Sequence, residues 1–254
     1  MNRSMGIAVG AALTTALLTA CGGSQPAAPA AGNAPAANSG PVQPKVNRLV
    51  LSVPPSDLEG NDPRHLGVPT MWPLRPMYEY VIALNPETDK PIPQLGSSWS
   101  LEPDGVSFRF KLQKGVQFHG DNGEFTAKDL VHSFRDTIKD DSQNTQYVPY
   151  FKKLIKDVEV VNDYEVVYRL TGPDANFLRA MSEAEGGMEI RSKAHYDKIG
   201  APTMQTGPIA GTGPYQFKER GQATHIRYER TQFKHWRTTP DFPEFEFRFI
   251  KESS

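Results

Sequence analysis

PIPQLGSSWSLEPDGVSFRFKLQKGVQFHGDNGEFTAKDLVHSF, residues 91–134, decides how the rest of the chain is read. Val106, Phe108, Phe110 and Leu112 alternate with Ser107, Arg109 and Lys111. A period of two puts one set of side chains on a buried face and the other on a wet one, so this spacing predicts a strand. Glu102-Pro103-Asp104-Gly105 supplies a turn, because proline fixes φ and glycine accepts positive φ. Trp99 and Leu101 lie before that turn and predict the other arm of a hairpin. Val116 and Phe118 carry the pattern on to the polar loop Gly120–Gly123. Thr126 then reads as an N-cap, with Asp129 three residues on in a variant of the capping box and Phe125 and Leu130 at the positions of a hydrophobic staple. Leu130, Val131, Phe134 and Ile138 fall on one helical stripe. Strands feeding a capped helix predict a small α+β lobe.

The segments P-Q-L-G-S-S-W (93–99), D-G-V-S-F-R-F-K-L-Q-K-G-V-Q-F-H (104–119) and F-T-A-K-D-L-V-H-S-F (125–134) resemble the solute-binding proteins of peptide-type ABC transporters, the bacterial extracellular solute-binding proteins of family 5. G-T-G-P-Y (211–215) and Y-E-R-T-Q-F-K-H-W (228–236, with Thr231 where the family usually has Asn) extend the likeness. The resemblance implies a mixed α/β, periplasmic-binding-protein type II-like fold of two hinged lobes. It implies no enzyme activity, but capture of an oligopeptide or other small solute for import through an ABC permease. It runs from about Val46 to Ile250, in a family whose members are about twice as long, as two lobes require. The expectation is therefore a truncated chain whose C-terminal lobe is missing. Residues 46–80 with 201–254 would form an incomplete first lobe (subdomain I), and 81–200 subdomain II.

The formal net charge is −1 over 254 residues, which argues against a nucleic-acid partner. Cys21 is the one cysteine, so no intrachain disulfide is possible. Arg3 precedes an apolar run, Gly6–Leu18, too short to span a bilayer. Leu18-Thr19-Ala20-Cys21 reads as a lipoprotein signal, residues 1–20, cut so that Cys21 carries lipid. Residues 21–45 are rich in Ala, Pro and Gly and read as a disordered tether. Together these predict an extracytoplasmic, membrane-anchored monomer, on the periplasmic or outer face.

The long loop from Ser56 to Pro73 is of a length that usually carries function. Its Asp62-Pro63 and Gly67-Val68-Pro69 resemble the family segment that lines one side of the ligand cleft. The resemblance makes Leu66, Gly67, Val68, Thr70, Met71 and Trp72 candidate ligand contacts, and Tyr147, or Tyr150 in a shifted register, an aromatic contact. Extended backbone can pair with a peptide, and Met and Trp offer broad apolar contact. Equally, Met71 and Trp72 could plug the core and Tyr147 be a packed aromatic.

The remaining spacing predicts a helix over Leu74–Leu84 with Met77, Tyr78, Val81 and Ile82 inward. It predicts hairpins at 158–170 and 215–228, short helices at 175–181 and 192–199, a surface turn at Glu183–Glu189, and a last strand through Phe245, Phe247 and Phe249. G-T-G-P-Y is not a phosphate loop: no third glycine or GK[ST] follows, and Pro214 lacks a backbone N–H. It reads as a tight crossing where only glycine fits.

No chemistry is signalled. Ser107 and Ser133 lack a G-x-S-x-G setting. His119 and Asp121 could touch a metal, but there is no H-E-x-x-H and no cysteine pair, so neither a metal site nor a cofactor is expected. A substrate-binding lipoprotein is set against a secreted lipoprotein hydrolase, which needs a nucleophile or metal triad that is not visible, and against a non-transporting remnant without its second lobe.

Overall fold

The computed structural model describes residues 46–55, 59–66, 71–144, 147–186, 188–200 and 210–251. The expected signal and tether, Cys21 included, lie outside them. In chain order the elements are β1 (Arg48–Val53), β2 (Ile82–Leu84), β3 (Pro91–Pro93), β4 (Gly96–Leu101), β5 (Ser107–Leu112), α1 (Ala127–Thr137), α2 (Val148–Leu154), β6 (Ile155–Asn162), β7 (Glu165–Leu170), α3 (Phe177–Ala180), α4 (Lys193–Ile199), β8 (Tyr215–Gly221), β9 (His225–Arg230) and β10 (Glu244–Phe249). One four-stranded sheet runs β4-β5-β7-β6, another runs β1-β10-β9-β8, and β2 pairs with β3.

The alternating run becomes β5, a central strand. Trp99 faces Phe110 and Leu101 faces Phe108 across the hairpin, while β7 sets Val166 against Phe110 and Tyr168 against Phe108. The turn closes as its residues dictate. Gly105 takes φ +71°, the Gly105 N–H donates to Glu102 O at 3.0 Å, and Asp104 Oδ1 accepts the amides of Val106 and Ser107 at 3.0 and 2.9 Å. Phe110, Tyr168 and Phe177 pack ring against ring, with the Tyr168 centroid 5.6 Å from Phe110 and 5.5 Å from Phe177. Phe125, Leu130, Val131 and Phe134 of the α1 region bury into the same core. The helix starts where its cap predicts: the Thr126 N–H and hydroxyl both donate to Asp129 Oδ2, at 2.9 and 3.0 Å.

A second core lies against β8–β10. Phe245, Phe247 and Phe249 pack there with Ile226, Tyr228, Leu66, Met71, Leu74, Met77 and Tyr78. On the opposite face Glu246 is only 1% exposed because Arg48, Arg227 and Arg248 cover it, at 3.2, 2.6 and 2.7 Å. Burial raises its pKa, but the hydrogen bonds from Arg227 and Arg248 outweigh burial and hold the carboxyl below its usual range.

The helix expected over Leu74–Leu84 does not form. Trp72–Leu74 is a single 3-10 turn, and the chain then runs irregularly into β2. Pro73 and Pro76 withhold two amides from any helix. The carbonyls of Pro76 and Met77 accept instead from Tyr215 N (3.2 Å) and Gly213 N (3.0 Å). The helical spacing has another origin: Met77 and Tyr78 bury in the second core, Val81 and Ile82 in the first. The segment Glu183–Glu189 is likewise not a plain surface turn. Met188 and Glu189 are buried, and Glu189 Oε1 accepts the Tyr80 hydroxyl at 2.6 Å.

The chain returns between the two cores at Gly211-Thr212-Gly213, the tight crossing that G-T-G-P-Y implies. A Cβ on Gly211 would lie 2.0 Å from Met77 O, and one on Gly213 would lie 2.4 Å from Pro76 O. Three carbonyl bonds fix this crossing. His119 N holds Gly211 O at 2.9 Å, His119 Nε2 donates to Gly213 O at 2.8 Å, and His235 Nε2 donates to Thr212 O at 2.9 Å.

Candidate functional site

The loop expected to touch ligand starts from a built corner. Asp62 opens the 3-10 turn Pro63–His65, its Oδ1 accepting the Arg64 amide at 3.1 Å with Pro63 in the first turn, where no amide is needed. Leu66 follows, and its side chain is buried in the second core. Gly67, Val68 and Thr70 lie outside the described residues. Met71 is buried, its Sδ–Cε end against Gly186, where a Cβ would meet Met71 Cε at 2.7 Å. Trp72 is half-buried and packs edge-on against Phe247, centroids 4.9 Å apart. The side chains of Leu66 and Met71 thus face the core, and of the described residues here only Trp72 leaves side-chain surface exposed.

Tyr147 sits at the start of α2. Its amide donates to Asn144 Oδ1 at 3.2 Å, and its hydroxyl donates to Glu185. Arg179 Nε reaches the same carboxylate at 2.7 Å and also pairs with Asp89. The Tyr147 hydroxyl and the Arg179 guanidinium hold the Glu185 carboxyl below its usual range, against a smaller opposing effect of burial. Tyr150 is half-buried and donates to Asp174 at 2.9 Å. Burial and that carboxylate push its phenol up. Tyr147, Tyr150, Asn176, Arg179, Ala180 and Glu185 line an open cavity of about 380 Å³. Glu185 adjoins Gly186, so Tyr147 and Met71 converge on one short segment from two distant stretches of sequence. Cys21 falls outside the described residues.

Arg179, Glu185 and Asn176 carry no sequence signal. They sit at the start of the short α3, on it, and in a Gly-interrupted stretch with no period, and the Arg179–Glu185 pair is made by a turn. A second cavity, about 360 Å³, is lined by His119, Asp121, Asn122, His195, Lys198 and Phe217 among others. His119 is buried there with Nε2 committed to Gly213 O, and Asp121 is exposed. Among the described residues no group of three or more His, Cys, Asp or Glu is placed to hold a metal, and no helix is long and apolar enough to cross a membrane.

The cavity thus carries two tyrosine rings and a paired acid and base on its wall, against the first core. The middle-region model of the bacterial extracellular solute-binding proteins, family 5, matches residues 90–254, and the chain belongs to that family. It is 31% identical over 204 residues to the dipeptide-binding protein of Escherichia coli K12, covering 70% of this chain and 36% of that protein. It is 34% identical over 159 residues to heme-binding protein A of Haemophilus influenzae, covering 54% and 28%. The dipeptide-binding protein of Pseudoalteromonas sp. SM9913, solved with Met-Leu, superposes with TM-score 0.68 at 22% identity, over 81% of this chain and 43% of that one. The fold is thus that of the type II periplasmic binding proteins, and the chain spans roughly two fifths or less of these relatives' length.

Proposed function

We propose that this chain serves extracytoplasmic capture of a peptide or similar small solute, which it presents to an ABC permease without altering any bond in it. The observation that carries this reading is the cavity beside Tyr147. Two tyrosine rings give sequence-tolerant apolar contact, and Arg179 and Glu185 give one charge of each sign, as the termini of a short peptide need. The extended backbone at Leu66 would pair with the peptide main chain. Residues 46–80 with 201–254 act as one subdomain and 81–200 as the other. The protein is a monomer, cleaved after residue 20, lipidated at Cys21 and held off the membrane by residues 21–45.

Isothermal titration of the chain with Met-Leu tests the reading. We expect saturable binding that Tyr147→Ala or Arg179→Met weakens by about tenfold, roughly 1.4 kcal/mol. Binding unchanged in both variants would overturn the assignment of this cavity. Turnover of the peptide would overturn the non-enzymatic reading.

A further inference from the structure

One cluster is absorbed by neither core nor cavity. Asp62, Arg64, Asp136 and Arg191 are 1, 4, 3 and 3% exposed and form a neutral buried quartet. Arg64 Nε lies 3.2 Å from Asp62 Oδ2 and 3.4 Å from Asp136 Oδ2. Arg191 Nη1 lies 3.5 Å from Asp62 Oδ1 and 3.4 Å from Asp136 Oδ2. Arg191 Nη2 also donates to Ser133 O at 2.7 Å and Thr137 Oγ1 at 2.8 Å, which ties the quartet to the last turns of α1.

A quartet like this is a poor way to gain stability, because desolvating four charges offsets most of their attraction. What it fixes is geometry. The carbonyl of Arg64 accepts three donors at once: Gln143 N at 2.8 Å, Asn144 N at 2.9 Å and Ser142 Oγ at 3.1 Å. Asn144 in turn takes the amide of Tyr147. In the other direction, Arg64 is the middle of the turn that delivers Leu66. The far side of the loop is pinned separately, where Arg220 donates to Gly60 O and Asn61 Oδ1, both at 2.8 Å.

We infer that Arg64 is a positioning residue: held by Asp62 and Asp136 through its guanidinium, it sets through its carbonyl the 142–144 segment, which places Tyr147 on the wall of the candidate cavity. This rests on the reading of that cavity as the binding surface. Displacing the anchor moves Tyr147, and a ligand packed on its ring loses that contact.

The test is hydrogen exchange and Met-Leu titration on the whole chain, comparing wild type with Arg64→Met and with the near-isosteric Asp136→Asn, which keeps the test available where the first variant fails to fold. Glu246→Gln is the matched control, since it opens an equally buried ion-pair hub far from the cavity. We expect exchange at the amides of Gln143 and Asn144 to rise at least tenfold in the quartet variants, while amides of β5 and β7 change no more than in the control. Met-Leu affinity should fall at least tenfold in the quartet variants and not in Glu246→Gln. Uniform acceleration across all amides, matching the control, would reduce the quartet to a stabilising feature and overturn the proposal. Failure of wild type to bind Met-Leu would count against the peptide reading alone, because the exchange comparison still decides whether Arg64 holds the 142–144 segment.

Discussion

His119 makes the crossing between the two cores sensitive to acid, and the size of the effect follows from its surroundings. The ring is 4% exposed and donates from Nε2 to Gly213 O. Burial pushes its pKa down to about 4; the Gly213 carbonyl and the Glu79 carboxylate oppose this, and His235 adds to it. In the unfolded chain the same ring titrates near 6.5. Unfolding therefore takes up a proton between these values, and stability is fully present above about pH 6.5 and lost as pH falls toward 4. A gap of roughly 2.5 units at about 1.4 kcal/mol each, half-titrated at its lower end, gives a loss of about 3 kcal/mol at pH 4. His119→Gln keeps a donor for the Gly213 carbonyl and removes the titration. Urea unfolding of both proteins at pH 8 and pH 4 isolates the ring, because His132, also pushed to about 4 by burial, titrates equally in each and cancels. Moving from pH 8 to pH 4, the variant should gain about 3 kcal/mol on the wild type. A stability difference that stays constant to within about 0.5 kcal/mol, the usual limit of additivity, would refute the claim that the imidazole is desolvated and neutral in the fold.

Gly211→Ala should destabilise by about 3 kcal/mol or more, or yield no folded protein, because its Cβ would sit 2.0 Å from Met77 O and 2.8 Å from Tyr78 Cδ1. Gly172→Ala, where nothing lies within 4 Å, is the matched change and should stay within about 0.5 kcal/mol by thermal melting. Phe110→Ala empties the ring cluster it shares with Tyr168 and Phe177 and should cost about 3–5 kcal/mol in denaturant unfolding, with the midpoint lowered at unchanged slope.

Local order was legible where one physical rule acted alone. The 106–112 alternation, the Gly105 turn, the Thr126–Asp129 cap and the Phe245–Phe249 alternation each follow from period or capping, and each appears in place. Reading failed where two rules coincided. Residues 77, 78, 81 and 82 have helical spacing because they feed two different cores from one extended segment, and the prolines at 73 and 76 were the contrary signal. Glu183–Glu189 looked solvated because two glycines and several acids suggest a turn. Its burial comes from Tyr80, a partner more than a hundred positions away. The cavity was legible only through Tyr147 and its alternative, Tyr150, both of which line it. Arg179 and Glu185 meet Tyr147 by tertiary packing, which leaves no period behind.

Several buried polar residues, distant in sequence, lie together along the meeting of the two cores. Asp62, Arg64, Asp136 and Arg191 sit there, as does Glu79, 3.5 Å from His235 Nε2 and hydrogen-bonded by Trp236 Nε1 at 2.9 Å and Arg237 Nη2 at 3.0 Å. Burial raises the Glu79 pKa, yet the donors from His235 and Trp236 hold it below its usual range, so it is charged inside the fold. Apolar packing is non-directional and tolerates sliding of one surface on another. Hydrogen bonds and fixed charges do not, because they weaken steeply with angle and distance. A chain that had only to be stable would do as well with apolar residues at this seam, since buried ion pairs roughly break even against them. Charges at Arg64 and Glu79 therefore say that relative placement, not cohesion, is what this junction supplies, and under the proposed function that placement is what sets Tyr147 on its cavity wall.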